Sequence, residues 1–432
     1  MRQAKVGVVG AGYVGLTTAV CVAERGLDTV CVDVDAGKVD QLRDGVAAID
    51  EPGMPMLLRR GLDAGTLRFS DDYTALADRQ AVFVCVPTPS SPDGAADLSA
   101  VEEAVDQLGD TLRPPAVVAL KSTVPVGTTR RMGQRLDRHG IPVVASPEFL
   151  RESHAVYDFR NPDRVVIGAD DPAAAELIAF VYGTDGSRVL RMSPESAELA
   201  KYASNAFLAV KLSYANSMAR LCARVGGEIA DVIRAAGADP RIGPHFLTPG
   251  PGWGGSCLPK DTAELLCTGR RAGIELAEVQ AARHTNDAQS DHIVATLVQM
   301  LGPLTGMTIG VLGLTFKAHT SDIRDSPALR VCARLAQAGA QINGYDPRMS
   351  RIDNRELARA GVTAVDDAAV ATKAAQAILV LTEWPQFGEL DWRLISEQSP
   401  GAVVLDTRNI LSRRMIRRTG LRYVGNGIPG GY

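Results

Sequence analysis

No apolar run in this chain reaches the roughly 18–20 residues that a bilayer-spanning helix needs, so a membrane anchor is not expected. The seven cysteines, at positions 21, 31, 85, 222, 257, 267 and 332, are odd in number and include no C-x-x-C pair. That argues against a disulfide framework or a structural zinc site and for reduced thiols. The six histidines are dispersed, and no metal-ligand spacing emerges among them. A dominant charge is lacking too: 46 Lys and Arg stand against 50 Asp and Glu, and a net charge of −4 offers no footprint for nucleic acid. No basic segment with an apolar stretch behind it precedes the first strand-like residues at Lys5, so a cytoplasmic location is expected. What remains is an ordinary globular composition, 46% hydrophobic and 22% charged, over 432 residues that imply two or three domains.

Residues 5–9 (Lys-Val-Gly-Val-Val) read as a buried parallel strand. Gly10-x-Gly12-x-x-Gly15 follows, then an apolar helical pattern from Val14 to about Arg25, then a second strand from Thr29 to Asp33. Strand, glycine turn, helix, strand, with an acid about twenty residues on, lays a dinucleotide pyrophosphate on a helix N-terminus and a ribose against the acid. The Asp33 charge would repel a 2′-phosphate, so NAD is expected over NADP. Lys38 is close enough to reach phosphate or ribose, or is simply a solvated lysine.

Strands at 81–86 and 116–120 end in Pro87-Thr88-Pro89 and Lys121-Ser122-Thr123. Carboxyl ends of parallel strands line the ligand crevice, so Thr88 and Thr123 are candidate contacts, with helix N-caps as the alternative. A fifth strand, 141–145, leads into Ser146-Pro147-Glu148-Phe149-Leu150-Arg151-Glu152. Its two carboxylates suit a general base and a structural partner, or a helix start. A sixth, 164–168, is expected to complete the domain.

From Pro194 to Val225 the pattern is one long helix, with Lys201 and Asn205 on one face. Burying both is costly without a purpose; the alternative is a salt bridge from Lys201 to Glu198 on a wet face. Helices continue at 228–236, 259–272 and 275–300, an all-helical middle and a candidate dimer interface. The last third repeats the order of the first: strands at 307–313, 341–346, 376–381 and 402–406 echo those before Gly10, Asp33, Pro87 and Lys121. The expectation is an α/β protein with two Rossmann-like doubly wound parallel-sheet domains, residues 1–193 and 303–432, joined by a long central helix and an all-helical middle domain, 194–302. In the second Rossmann-like domain, Lys317, Arg324 and Arg408 fall on loops after strands and suit phosphate oxygens. The end, Gly425 to Tyr432, reads as a flexible tail.

Between these domains runs Gly252-Trp253-Gly254-Gly255-Ser256-Cys257-Leu258-Pro259-Lys260-Asp261. The loop delivers Cys257 to a helix N-terminus three residues before a lysine, and both features favour thiolate. The glycines are expected to leave open space above the sulfur. A hydride acceptor alone needs no cysteine. A thiolate becomes useful when an aldehyde must be oxidised again: it forms a thiohemiacetal, then a thioester that an activated water hydrolyses. Lys201 and Asn205 would stabilise oxyanions, and Glu148 or Asp261 would activate the water.

The motifs Gly10-Ala-Gly-Tyr-Val-Gly-Leu16, Val86-Pro-Thr-Pro89, Ser122-Thr-Val-Pro-Val-Gly127, Ser146-Pro-Glu-Phe-Leu-Arg-Glu152, Lys201-Tyr-x-x-Asn205, Gly254-Gly-Ser-Cys-Leu-Pro-Lys-Asp261, Gly313-Leu-x-Phe-Lys317 and Arg408-Asn409 span nearly the whole chain. In this order they resemble the nucleotide-sugar 6-dehydrogenase family (UDP-glucose/GDP-mannose dehydrogenases). The resemblance implies NAD contacts at Gly10, Gly12, Tyr13, Val14, Gly15, Asp33, Lys38, Thr88, Thr123, Glu152, Lys260 and Arg324. It implies Cys257 as nucleophile, assisted by Glu148, Lys201, Asn205, Asp261 and Thr123. It implies a nucleotide-sugar site lined by Glu148, Phe149, Leu150, Lys201, Asn205, Arg241, Phe246, Gly254, Lys317 and Arg408, with Arg241 reaching across a homodimer interface. The family's usual product is a UDP-sugar acid, formed with two NAD per sugar. Ser153 and Thr407 stand where many members carry glycine. Relatives accept GDP-mannose, UDP-N-acetyl sugars or TDP-glucose, and Phe246 to Gly255 looks most like the UDP-glucose type. A two-electron hydroxy-acid dehydrogenase and a non-catalytic NAD-binding regulator remain as alternatives.

Overall fold

A computed structural model describes residues 4–47, 49–91, 93–184 and 186–432. The chain divides into two compact units, one running through Ser204 and including Ala263–Gly273, the other comprising Asn205–Thr262 and Ile274–Tyr432.

The first unit is built on an eight-stranded sheet: β1 (Val6–Val9), β2 (Thr29–Val32), β3 (Leu67–Ser70), β4 (Ala81–Val84), β5 (Val117–Leu120), β6 (Val143–Ala145), β7 (Val165–Gly168) and β8 (Val189–Met192). Its order is β3-β2-β1-β4-β5-β6-β7-β8, so the winding reverses between β1 and β4, where such sheets bind ligands. β1, β2, β4 and β5 bury every residue, which is why each reads as a continuous apolar run. The sheet has eight strands, not the six predicted. β3 (Leu-Arg-Phe-Ser) and β8 (Val-Leu-Arg-Met) are edge strands with half their residues in water, so neither carries an apolar run to announce it. The pairing of β6 with β7 is antiparallel, whereas the sheet is otherwise parallel.

The second unit carries a six-stranded, wholly parallel sheet: β9 (Thr308–Leu312), β10 (Gln341–Tyr345), β11 (Val362–Ala364), β12 (Ala377–Val380), β13 (Val403–Asp406) and β14 (Arg422–Gly425), in the order β11-β10-β9-β12-β13-β14. The four predicted strands are its centre, and β11 and β14 are again short edges. Four helices fill the middle of the chain: Pro194–Val225, Ile229–Gly237, Leu258–Arg271 and Ala277–Leu301.

The chain's end is not a loose tail. The Gly427 N–H bonds the Tyr432 carbonyl at 2.9 Å, and the Tyr432 N–H bonds the Gly425 carbonyl at 3.1 Å. Ile428 and Tyr432 are both buried in the hydrophobic cores of the second unit. Glycine content suggested freedom, but here the glycines let the backbone fold back on itself: a Cβ on Gly431 would lie 2.2 Å from the Gly425 carbonyl oxygen. Among the described residues no helix is long and apolar enough to cross a membrane, and no group of His, Cys, Asp and Glu side chains is arranged to hold a metal ion.

Candidate active site

The glycine turn after β1 has two closed positions and one open one. A Cβ on Gly15 would lie 1.7 Å from the Gly10 carbonyl oxygen, and Gly10, at φ +93°, would press a Cβ to 2.7 Å from the Cys85 carbonyl oxygen. A Cβ on Gly12 would meet nothing within 4 Å. Gly12 is also the N-cap of helix Tyr13–Glu24 and offers no side-chain cap, so the first N–H groups face an open surface suited to a pyrophosphate. Val14 lies partly exposed in the first turn. Asp33 accepts the Ala11 N–H at 2.7 Å, the Asp35 N–H at 3.0 Å and Lys38 Nζ at 3.0 Å. Burial pushes its carboxyl up, but these donors outweigh burial and hold it below the usual range. Lys38 is thus tied to Asp33 rather than loose in solvent.

Tyr13 spends its hydroxyl on the protein: it donates to Glu51 and accepts the Ser153 N–H at 2.7 Å. Burial raises its pKa, and the charges of Glu51 and Glu152 add to the effect. Thr88 and Thr123 do not cap helices; the Thr88 hydroxyl donates to the Thr123 carbonyl at 3.0 Å, tying the ends of β4 and β5 together.

Past β6 no helix starts before Ala155, so Glu148 lies on a loop and Glu152 in the tight turn that ends it, closed by the His154 N–H on the Arg151 carbonyl at 2.9 Å. Glu148 and Lys201 form a buried ion pair at 2.9 Å, with side chains 8% and 5% exposed. The Leu150 N–H donates to the other Glu148 oxygen at 2.5 Å. Burial alone would push this carboxyl up; the Lys201 charge and the two hydrogen bonds overcome it and hold the pKa below the ordinary value. Phe149 stacks under the Arg164 guanidinium at 3.9 Å, with Lys201 5.4 Å from its ring. Glu198, the alternative partner for Lys201, accepts the N–H groups of Gly127 and Thr129 and the Thr129 hydroxyl, each at 2.6 Å. It caps helix Thr128–Leu136 from outside, which sequence spacing could not reveal.

In the second unit, Cys257 is exposed while the other six cysteines of the chain are buried. Its carbonyl accepts the Asp261 N–H at 2.9 Å, the opening bond of helix Leu258–Arg271, so Cys257 sits at the helix's positive end. Asn205 Nδ2 donates to Asp261 at 2.6 Å, and Lys260 Nζ reaches the other Asp261 oxygen at 2.8 Å; Asp261 itself is 1% exposed. The loop before Cys257 is rigidly held. Asn286 exchanges two hydrogen bonds with the Trp253 backbone, the Trp253 indole donates to Ser213 at 2.9 Å, and Asn216 accepts the Gly250 N–H at 2.8 Å. Cys257 is exposed, yet the glycines beside it are themselves tightly packed. A Cβ on Gly254 would lie 2.0 Å from the Asp325 carbonyl oxygen, and one on Gly255, at φ +80°, 2.9 Å from the Phe316 ring. They are needed because two backbones approach closely there.

Arg408 donates to the Leu381 carbonyl at 3.1 Å, pairs with Glu383 at 3.1 Å, and packs so near Gly250 that a Cβ there would lie 2.7 Å from its guanidinium. Lys317 lies 5.7 Å from the Phe316 ring. Arg324 folds onto Asp322 at 2.6 Å, and its carbonyl accepts the Gly255 N–H at 3.1 Å. Phe246 has φ +60° and is partly exposed; Arg241 is largely exposed and pairs with Asp239 at 2.6 Å.

Several supporting residues were not foreseen. Lys121 is 2% exposed and donates to the Tyr182 hydroxyl at 2.6 Å, which also bonds Ser146 at 2.9 Å, two residues before Glu148. A lysine in an apolar strand end was the available signal. Glu51, which holds Tyr13 and the Val156 N–H, had no signal in its loop.

Three domains of one family match consecutive stretches of the chain: the NAD binding domain of the UDP-glucose/GDP-mannose dehydrogenase family over residues 4–184, its central domain over 195–288 and its UDP binding domain over 310–413. A UDP-glucose 6-dehydrogenase of Rhizobium meliloti is 40% identical, covering 98% of this chain and all of that one. Another from Pseudomonas aeruginosa is 39% identical over 98% of this chain and 97% of its own. Among solved structures, a UDP-glucose dehydrogenase from Pyrobaculum islandicum superposes with a TM-score of 0.89 at 38% identity, covering 98% of this chain and 97% of that one. A UDP-D-ManNAc dehydrogenase from Pyrococcus horikoshii reaches 0.87 at 28% identity over 99% and 100%.

Proposed function

This chain belongs to the UDP-glucose/GDP-mannose dehydrogenase family and is an NAD-dependent oxidoreductase, and on that premise we propose that it oxidises the C6 alcohol of UDP-glucose to the carboxylate of UDP-glucuronate. The observation that carries the four-electron reading is the exposed Cys257 at a helix N-terminus, in a loop held by three side chains from two helices. A two-electron alcohol dehydrogenase has no use for such a thiol.

The open Gly12 surface and the Asp33 carboxylate fit NAD, which would supply the hydride acceptor for both oxidations. Gly10, Tyr13, Val14, Gly15, Lys38, Thr88, Thr123, Glu152, Lys260 and Arg324 complete the proposed cofactor contacts. The first oxidation removes a hydride from C6 and the hydroxyl proton. The Cys257 thiolate then forms a C–S bond to the aldehyde carbon, and its oxygen becomes an alkoxide that takes a proton. Loss of a second hydride and that proton gives a thioester. Water cleaves the C–S bond, returning the thiolate and releasing the acid. Asn205, oriented by Asp261, and Lys201 would donate to the developing oxyanions; one such donor is typically worth about 10²–10³ in rate. Glu148, kept ionised by Lys201, or Asp261 would activate the water. Phe149, Leu150, Phe246, Gly254, Lys317 and Arg408 would bind the nucleotide sugar.

UDP-glucose is favoured by the naming of the relatives at 38–40% identity. The backbone likeness to the UDP-D-ManNAc enzyme supports a second reading, the same chemistry on another nucleotide sugar. Measuring NADH released per sugar over UDP-, TDP- and GDP-sugars tests both: two NADH with UDP-glucose are expected, and one NADH with a carbonyl product would sink the four-electron reading.

We further assign a cytoplasmic homodimer. Phe207, Tyr214, Leu221 and Val225 are 63%, 58%, 51% and 70% exposed at seven- and four-residue spacing on one helix, an apolar stripe that a second copy would cover. Arg241 would reach across that interface. A monomer by light scattering for the native chain, at micromolar concentration, would refute the assignment.

A further inference from the structure

The seven residues after β14 have a task that the dehydrogenase chemistry does not account for. Asn426, 1% exposed, exchanges two hydrogen bonds with the Asn409 side chain: the Asn409 amide donates to the Asn426 carbonyl at 2.7 Å, and the Asn426 N–H donates back at 2.9 Å. The Asn426 amide also donates to the Thr407 carbonyl at 3.1 Å. The chain end thus grips both residues that flank Arg408. Asn409 needs such a grip because it holds φ at +54°, a left-handed conformation that only glycine adopts without cost.

The grip is anchored at its far side as well. The Gly427 carbonyl accepts the Ile229 N–H at 2.8 Å, and a Cβ on Gly427 would meet Ala219 and Ile229 at 2.8 Å. Tyr432 closes the strap through its backbone bonds to Gly425 and Gly427 and sets its ring 5.6 Å from that of His292 on helix Ala277–Leu301. Among the described residues the buried Tyr432 hydroxyl has no hydrogen-bond partner, so its ring and main chain, not its polar atom, do the holding. The strap therefore runs from the loop after β13 to helices Pro194–Val225, Ile229–Gly237 and Ala277–Leu301.

We propose that Asn426–Tyr432 is a clasp that positions Arg408 for the diphosphate of the nucleotide sugar. The proposal rests on the reading of Arg408 as a substrate contact. Asn409, Asn426 and Tyr432 are positioning residues: Asn426 binds Thr407 and Asn409 on either side of Arg408, and Tyr432 holds that segment through its bonds to Gly425 and Gly427. If the clasp is opened, Arg408 samples other directions and ground-state binding of the sugar nucleotide weakens, while the NAD side and the thiolate chemistry are untouched.

The test is steady-state kinetics on the full-length enzyme with UDP-glucose and NAD, for Asn426→Ala, Asn409→Gly, Tyr432→Phe, Arg408→Ala and the double variant Asn426→Ala with Arg408→Ala. Asn409→Gly removes the side chain of the pair yet suits the left-handed backbone, so it carries the test if Asn426→Ala fails to fold. Opening the clasp is expected to raise the KM for UDP-glucose about tenfold, with kcat and the KM for NAD within about twofold. Tyr432→Phe is expected to match the native enzyme. In the Arg408→Ala background the Asn426 substitution is expected to add less than about twofold. An unchanged KM in Asn409→Gly, or equal effects with and without Arg408, overturns the clasp. An unchanged KM in Arg408→Ala alone instead overturns the substrate-contact reading on which it rests.

Discussion

Replacing Lys201 by Met should destabilise the first unit in a way that depends on pH. Lys201 and Glu148 are both nearly inaccessible, and the pair is what keeps the Glu148 carboxyl below its ordinary pKa against the upward pull of burial. Removing one member of a buried pair leaves an uncompensated charge, a loss of about 3–5 kcal/mol. For a unit of this size that corresponds to a thermal midpoint lower by roughly 6–20 °C. In the native protein the folded-state pKa is depressed, so the Glu148 contribution is complete above the unfolded value of about 4.3 and is lost only as pH falls through the folded value. Between pH 5 and 8 it is flat. In Lys201→Met, burial acts with less opposition and the folded pKa rises above that of the unfolded chain. The folded variant then takes up a proton first as pH falls, and its penalty shrinks. The midpoint gap between native and variant should be widest at pH 8 and narrower at pH 5. The double variant Lys201→Met with Glu148→Gln should recover much of the loss at pH 8, since it removes the buried charge. Thermal unfolding followed by circular dichroism reads all three proteins. A gap independent of pH, or a double variant as unstable as the single one, would refute the electrostatic account and point to packing instead.

Cys257→Ser should still bind UDP-glucose and NAD but release no acid, because a serine hydroxyl is not ionised near neutral pH and cannot take the thiolate's part; unaltered UDP-glucuronate release, followed by chromatography, would remove the covalent step. Asp33→Asn should weaken NAD by roughly 10–100-fold, the scale of losing charge-assisted hydrogen bonds, while narrowing the preference for NAD over NADP; an unchanged ratio of the two KM values would free Asp33 of its role. Ser153 holds φ +66° and its N–H donates to Tyr13, so Ser153→Val should cost about 1–3 kcal/mol in a urea melt, with Ser153→Gly within a few tenths of native. Equal stability of the valine and glycine variants would show that the backbone strain argument is misplaced.

The legible parts of this chain were those whose signal is local. The central strands could be read because parallel strands covered on both faces become short apolar runs, and the glycine turn and the acid after them marked the strand–helix–strand unit. The edge strands β3 and β8 could not, since Leu67–Ser70 and Val189–Met192 are half in water and earn their place by pairing with a neighbour far along the chain. The partner of Lys201 followed the same rule. Glu198 is the local choice at one helical turn, and the actual partner, Glu148, lies 53 positions away on a loop. Helical spacing says which residues share a face, not what the face meets. The chain end failed for a different reason: Gly-rich composition was read as freedom, yet Gly427 and Gly431 are glycine because backbone or side-chain atoms lie within 3 Å of where a Cβ would sit.

The same point separates the two glycine-and-acid turns of the molecule. Gly10 and Gly313 both adopt φ +93°, and each donates its N–H to the last residue of the neighbouring strand, Val32 at 2.7 Å and Tyr345 at 2.8 Å. Asp33 and Asp346 follow those strands in turn, and each accepts an N–H of its own first turn, from Ala11 at 2.7 Å and from Leu314 at 2.8 Å. From there they diverge. Asp346 is fully buried and also accepts the Thr315 N–H, the Thr315 hydroxyl and the Trp384 indole N–H, so its oxygens are filled by the protein. Asp33 stands beside an open glycine and keeps some exposure. The two turns therefore share the fold-making half of the device, while only Asp33 keeps room for an outside donor; on the proposed reading, a nucleotide in the second unit would be held by loop cations such as Lys317 and Arg408 rather than by its strand-end acid.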